Sequence, residues 1–246
     1  MTVRDVVAAA PQPRVPVRGT GIDAGSSFPV HRIYCVGRNF ADHAREMGAT
    51  APASRAERGN PTFFLKPADA IVTDGAVRYP RGTRELHHEV ELVAALGQDA
   101  PPGVVAVEDA LALVYGYAVG LDLTRRDLQA AAKAKSLPWD TGKSFEHAAP
   151  ISAIVPAAHF GALEGHTLAL RINGELRQHG SLGDLIWNVA DILHELSKLY
   201  DLRAGDLVFM GTPAGVGPLQ PGDVFEALLD DARQQAAVVL QGQILT

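Results

Sequence analysis

The sequence predicts an α+β fold built on a mixed β-sheet. Three observations lead there. Segments with strand character outnumber those with helical periodicity, the two kinds do not alternate as regular βαβ units, and no linker-like composition or repeat interrupts the chain after Phe63. The 246 residues suffice for one large core, and 47% hydrophobic with 20% charged residues is globular composition.

Each element has its own signal. Residues 1–30 space Pro11, Pro13 and Pro16 among Ala and Gly and are read as an N-terminal arm, leaving 31–246 as a single domain. Residues 31–36 read as a strand, 41–47 as a short helix, and 49–61, mixing Ala, Pro, Ser and charges, as a mobile loop. Strands rich in β-branched and aromatic residues follow at 63–65, 70–72, 88–96, 114–123, 168–172, 207–210, 224–229 and 236–240. Asp74-Gly75, Asn173-Gly174 and Pro221-Gly222-Asp223 supply turns. A short helix is expected at 107–113. A second, over 124–135, opens on Thr124 with Asp127 three residues on, the spacing of a capping box. In a third, 184–199, Leu185, Val189, Ile192, Leu193, Leu196 and Leu199 fall on one face.

Charge and cysteine content narrow the function. A net charge of −6 without any Lys/Arg run argues against nucleic acid and anionic membrane as partners. The longest uncharged apolar stretch, 110–121, is shorter than the ~18 residues of a membrane span. Cys35 is the only cysteine, which excludes an internal disulfide and a multi-cysteine zinc site. With no charged-then-apolar leader after Met1, a cytoplasmic location is expected.

Five constellations could carry chemistry. On a strand, Glu89 and Glu91 share a face, and paired carboxylates suit a hard divalent cation or else a half-exposed acidic surface. Asp122 ends an apolar strand beside a helix start, as a cap or a ligand, and Arg126 and Gln129 follow at i, i+3, a mouth fit for an anionic substrate or a solvated face. His43 and Glu46, also i, i+3, make either an oriented base or a surface contact. Lys143, after a Thr-Gly turn, is a buried cation or a loop lysine. In the loop 211–217, backbone amides and the Thr212 hydroxyl could receive a carboxylate. That loop lacks the Gly-Lys-Ser/Thr ending of a P-loop.

The order and joint identity of these motifs say more than any one of them. Val36-Gly-Arg-Asn-Phe-Ala-Asp-His43, Phe64-Leu-Lys-Pro67, His88-Glu-Val-Glu-Leu92, Gly120 through Gln129, Gly142-Lys-Ser-Phe145 and Gly205-Asp206 through Gly217 closely resemble the fumarylacetoacetate hydrolase family, above all its small bacterial branch. The resemblance runs from about His31 to the C-terminus. It implies a mixed β-sheet roll, usually a homodimer, and a Mg²⁺ or Mn²⁺ ion ligated by Glu89, Glu91 and Asp122. It implies substrate contacts from Arg38, Arg126, Gln129, Lys143 and Thr212, and a catalytic His43–Glu46 pair on a lid that orders with substrate. The founding enzyme's further acidic ligand, seven residues before the catalytic histidine, is Val36 here.

The activity so implied is hydrolysis of a carbon–carbon bond in a 2,4-dioxo acid, with fumarylpyruvate, cleaved to fumarate and pyruvate in aromatic catabolism, as the leading substrate. His43, oriented by Glu46, would take a proton from water, and Lys143 would add positive charge beside the departing enolate. Oxaloacetate decarboxylation, or isomerisation or decarboxylation of unsaturated dioxo acids, would use the same site. A non-catalytic binding protein is the most distant expectation.

Overall fold

A computed structural model of the chain describes residues 6–19, 25–46, 52, 55–230 and 236–246. The apolar runs become strands of two large sheets. One has six strands in the order Val155–Pro156, Val114–Leu121, Val90–Leu96, Leu207–Phe209, Ile33–Gly37 and Thr62–Lys66. The other orders Glu175–Ser181, Thr167–Ile172, Val224–Asp230, Ala236–Leu245 and Ala76–Arg78. Each sheet contains one parallel pair among antiparallel neighbours, so the expected mixed α+β architecture holds. The sheets pack through Val114–Leu121 and Val90–Leu96 against strands of the five-stranded sheet. No described helix is long and apolar enough to cross a membrane.

Residues expected to form an arm reach into this core. Arg14–Pro16 pairs antiparallel with Ser27–Pro29, and Val15, Val17, Phe28 and Val30 are buried with the rest. Pro16 can end a three-residue edge strand because an edge leaves one side of the ladder unpaired. Of the expected loop 49–61, residues 49–51, 53 and 54 lie outside the described residues, as does Met47, and 55–57 form a 3₁₀ turn.

Three further expectations are corrected. The strand 88–96 is two strands, Leu86–His88 and Val90–Leu96, broken at Glu89, because the first pairs with Thr124–Arg125 and Gly217–Leu219 and the second with the six-stranded sheet. The helix 124–135 begins only at Arg126. Thr124 pairs with His87, and Asp127 accepts from Thr83 Oγ1 and the Arg84 amide, so no capping box forms. The helix 184–199 shrinks to Val189–Ser197, capped by Asn188, whose side chain accepts from the Asp191 amide. Before it, Leu182–Asp184 is a 3₁₀ turn, and Asn39 ties down the residues that follow, bonding the Trp187 amide and carbonyl and the Met210 carbonyl.

The sequence reading misses short strands such as Ala76–Arg78, Val155–Pro156 and Gly217–Leu219, and one long strand escapes it as well. Glu175–Ser181 follows the Asn173-Gly174 turn, where both residues have positive φ as a tight hairpin demands. Its sequence is polar and lies at a sheet edge, so no apolar alternation betrays it.

Candidate functional site

Strand ends bring three carboxylates to one point. Register pairs Val90 with Leu121 and Glu91 with Gly120, so Asp122 falls opposite Glu89, its amide donating to the Glu89 carbonyl at 2.8 Å. Directly opposed residues share a face. Gly120 keeps the space beside Glu91 small-sided, since a Cβ there would stand 2.7 Å from Phe209 Cε1. Ligand oxygens of Glu89, Glu91 and Asp122 lie within 4.8 Å of one another and all three residues are buried, which rules out the half-exposed acidic surface.

Cations answer that charge. Lys143 Nζ donates to Glu89 Oε2 at 2.7 Å, Asp122 Oδ2 at 2.6 Å and Thr124 Oγ1 at 2.7 Å. It sits on the helical turn Asp140–Lys143, packed so tightly on the helix Arg126–Ala134 that a Cβ at Gly142 would stand 3.0 Å from Gln129 Cβ. Arg126 donates to Glu89 Oε1, and to Gln129 Oε1 at 2.6 Å. Lys66 Nζ lies 2.8 Å from Asp122 Oδ1 and donates to the Leu123 carbonyl at 3.0 Å.

These surroundings split the titration of neighbouring acids. Burial opposes ionisation at Glu89, but Lys143 and Arg126 outweigh it and hold that carboxyl well below the usual range. At Glu91 burial, followed by the charges of Asp122 and Glu89, pushes the carboxyl well above its ordinary value. Its one hydrogen bond among the described residues comes from the Gly211 amide, at 2.7 Å to Oε2. Lys143 is raised, because Asp122 and Glu89 outweigh the burial that would lower it. The donor set therefore fits a hard divalent cation: three carboxylates within one ion's reach, one of them with no lysine or arginine paired to it among the described residues.

The remaining expected residues converge on the same cavity. Arg38, His43, Arg126, Gln129, Lys143 and Thr212 line it together with the three acids, walled by Phe64 and Trp139. His43 is 6% exposed and its Nδ1 lies 3.3 Å from Oε2 of the exposed Glu46, so the pair joins a buried imidazole to a carboxylate at the surface and leaves Nε2 for the cavity that His43 lines. Two of the loop amides expected to receive a substrate carboxylate are taken by the protein's own carboxylates. Gly211 N–H bonds Glu91, and Gly215 N–H reaches both Glu46 oxygens at 3.3 Å. Thr212 Oγ1 accepts from Gln178 Nε2 at 2.8 Å, which leaves its hydroxyl proton free to donate.

A profile described as Fumarylacetoacetate (FAA) hydrolase C-terminal matches residues 32–240. The chain belongs to the fumarylacetoacetate hydrolase family. It is 42% identical over 198 residues to a human mitochondrial oxaloacetate tautomerase, covering 79% of this chain and 85% of that one. It is 36% identical over 197 residues to a mitochondrial oxaloacetate decarboxylase of Dictyostelium discoideum, covering 79% and 87%. A fumarylpyruvate hydrolase from Pseudomonas aeruginosa, crystallised with Mn²⁺ and pyruvate, superposes with a TM-score of 0.86 at 39% identity, over 98% of this chain and 99% of that one.

Within this fumarylacetoacetate hydrolase fold, three residues carry more than the sequence reading assigned them. Lys66 belongs to the Phe64-Leu-Lys-Pro67 motif, and a buried lysine on a strand is its own warning of an acid partner. Lys133 lines the cavity, and its spacing to Arg126 and Gln129, i+7 and i+4, was the available signal. Gln178 gave none. It is buried on the polar edge strand, where Oε1 accepts from the Val90 amide at 3.0 Å and lies 2.9 Å from His88 Nδ1.

Proposed function

We propose that this protein is a divalent-cation-dependent enzyme acting on oxaloacetate through its C3 enolate, interconverting keto and enol forms or releasing CO₂. One observation carries the reading: three buried carboxylates, the buried His43 imidazole and the Lys143 ammonium all border one cavity, with Glu46 bonded to His43 from its outer side. Oxaloacetate stands ahead of fumarylpyruvate because curated relatives at 36% and 42% identity bear oxaloacetate names.

Glu89, Glu91 and Asp122 would hold the ion, which would supply Lewis acidity toward the oxygen that gains charge as the enolate forms. Arg126 and Gln129, already bonded to each other, offer donors to the substrate's oxygens. Lys143 adds fixed positive charge beside that oxygen. His43 Nε2 takes the C3 proton and returns it to oxygen, with Glu46 holding the ring through Nδ1 and Gly215 holding Glu46. In decarboxylation the C3–C4 bond breaks instead, its electron pair enters the enolate, and C3 is reprotonated.

Fumarylpyruvate hydrolysis is the second reading. It is favoured by the Pseudomonas aeruginosa enzyme's coverage of 98% of this chain, the N-terminal strand pair included. There His43 would deprotonate water for attack on the distal carbonyl.

The test supplies oxaloacetate and fumarylpyruvate separately with Mg²⁺, following enol absorbance, CO₂, pyruvate and fumarate. Faster enol decay or CO₂ release from oxaloacetate, lost with chelator and with His43→Ala, is the expected result. Equal amounts of fumarate and pyruvate from the second substrate alone would transfer the assignment to the hydrolase. Turnover that survives chelator would sink both.

A further inference from the structure

Two cations on the cavity wall have no acid to answer. The acids of the cluster are matched by Lys143, Lys66 and Arg126. Arg38 and Lys133 line the same cavity, yet neither forms an ion pair among the described residues. Lys133 is half-buried on the helix Arg126–Ala134, its ammonium 4.7 Å from the centre of the Trp139 ring. Arg38 holds a left-handed backbone, φ +59°, a conformation that a long side chain rarely adopts.

We infer that Lys133, with Arg38 as the second cation, binds the far carboxylate of a dianionic substrate and so selects dicarboxylic over monocarboxylic 2-oxo acids. The inference rests on the reading above, which sets the oxygen that gains charge at the ion cluster and so brings the adjoining acid head of the substrate there too. A divalent ion, the buried Lys143 and Lys66 and the partly buried Arg126 already outweigh three carboxylates, so the head of a monoanion leaves Lys133 and Arg38 without a counter-charge. A second carboxylate supplies it. Burial, then the charges of Arg126, Arg38 and Lys143, pull Lys133 down to about 8, the expected state of an ammonium held among cations until an anion arrives. Trp139 and Phe64, with ring centres 6.1 Å apart, set apolar surface on the cavity wall, and a less polar surrounding strengthens that attraction.

Malate and lactate test this without turnover, because they share a 2-hydroxy acid head and differ by the far carboxylate. Calorimetric titration of the Mg²⁺-loaded protein is expected to show malate binding about tenfold tighter than lactate or more, the scale of one charge-assisted hydrogen bond. Lys133→Gln should erase that preference while lactate affinity stays within about twofold. Lys133→Arg should restore most of it, and Lys135→Gln, an exposed lysine outside the cavity lining, should change nothing. Equal affinities in the unaltered protein would overturn the inference alone. So would a Lys133→Gln protein that loses malate and lactate affinity in proportion, or one that loses only thermal stability through its Trp139 contact. Failure of both ligands to bind would overturn the acid-head reading itself, and the inference with it.

Discussion

Glu91 is the acid on which the cluster's response to pH turns. Its carboxyl is raised by burial and by two neighbouring carboxylates, so in the ion-free protein it retains a proton that Glu89 has already lost. An arriving cation must displace that proton. Affinity for Mg²⁺ should therefore rise with pH, by up to about tenfold per unit for one proton released, until Glu91 ionises unaided. Titrations in buffers of different ionisation enthalpy would measure the proton directly, and Glu91→Gln should flatten the slope as well as weaken binding. A second expectation concerns Gln178. Replacing it with Leu strips the acceptor from the Val90 amide, between two ligands, at a cost of roughly 1–3 kcal/mol for the buried group left unpaired. A fall in melting temperature together with weaker Mg²⁺ binding is the outcome that checks it. Glu89, Glu91 and Asp122 are legible in the sequence as candidates, because a two-residue period pairs the first two and the third ends a strand, but as one ligand set only through the family resemblance. Gln178 is not, because a side chain reaching across from an exposed edge strand leaves no periodic trace.

Among the elements, the loop after strand Leu207–Phe209 does more than its glycines suggest. Gly211 has φ +92°, and a Cβ there would stand 2.7 Å from Asn39 Cβ. Gly211→Ala should cost roughly 1–3 kcal/mol of stability in backbone strain, with more from the clash. It should also weaken Mg²⁺ binding, because the displaced amide is the one on Glu91. Thermal denaturation and ion titration of one variant read both effects. The loop's position and glycine content are visible in the sequence, but not whose carboxylates its amides hold. Helix starts failed for a related reason. Thr124 has a capping residue's identity, yet the buried Lys143 ammonium claims its hydroxyl and the His87 strand claims its backbone. Asn188, with Asp191 three residues on, carries the same kind of signal, and no other bond to its side chain competes among the described residues.

At the scale of the molecule, the core does not begin at residue 31. Val15 is fully buried and Phe28 is 7% exposed, and each fully buried side chain of this kind contributes roughly 1.5–3 kcal/mol. A chain starting at His31 should melt well below the full-length protein or aggregate, which calorimetry and size-exclusion chromatography would show. Unchanged melting would mean that the Arg14–Pro16 and Ser27–Pro29 pair is dispensable. Three-residue strands are too short to display alternation, and Pro16 within one reads as loop. The two large sheets are legible because long apolar strands leave little choice. Their pairing has one more consequence. Side chains on neighbouring residues of a strand point to opposite faces, so slipping Val90–Leu96 by a single residue against Val114–Leu121 would drive Glu91 among Val90's partners on a wholly apolar side. The acids that prepare this protein for chemistry thus also proofread its assembly: a mispaired chain is penalised as it folds, before it ever meets a substrate.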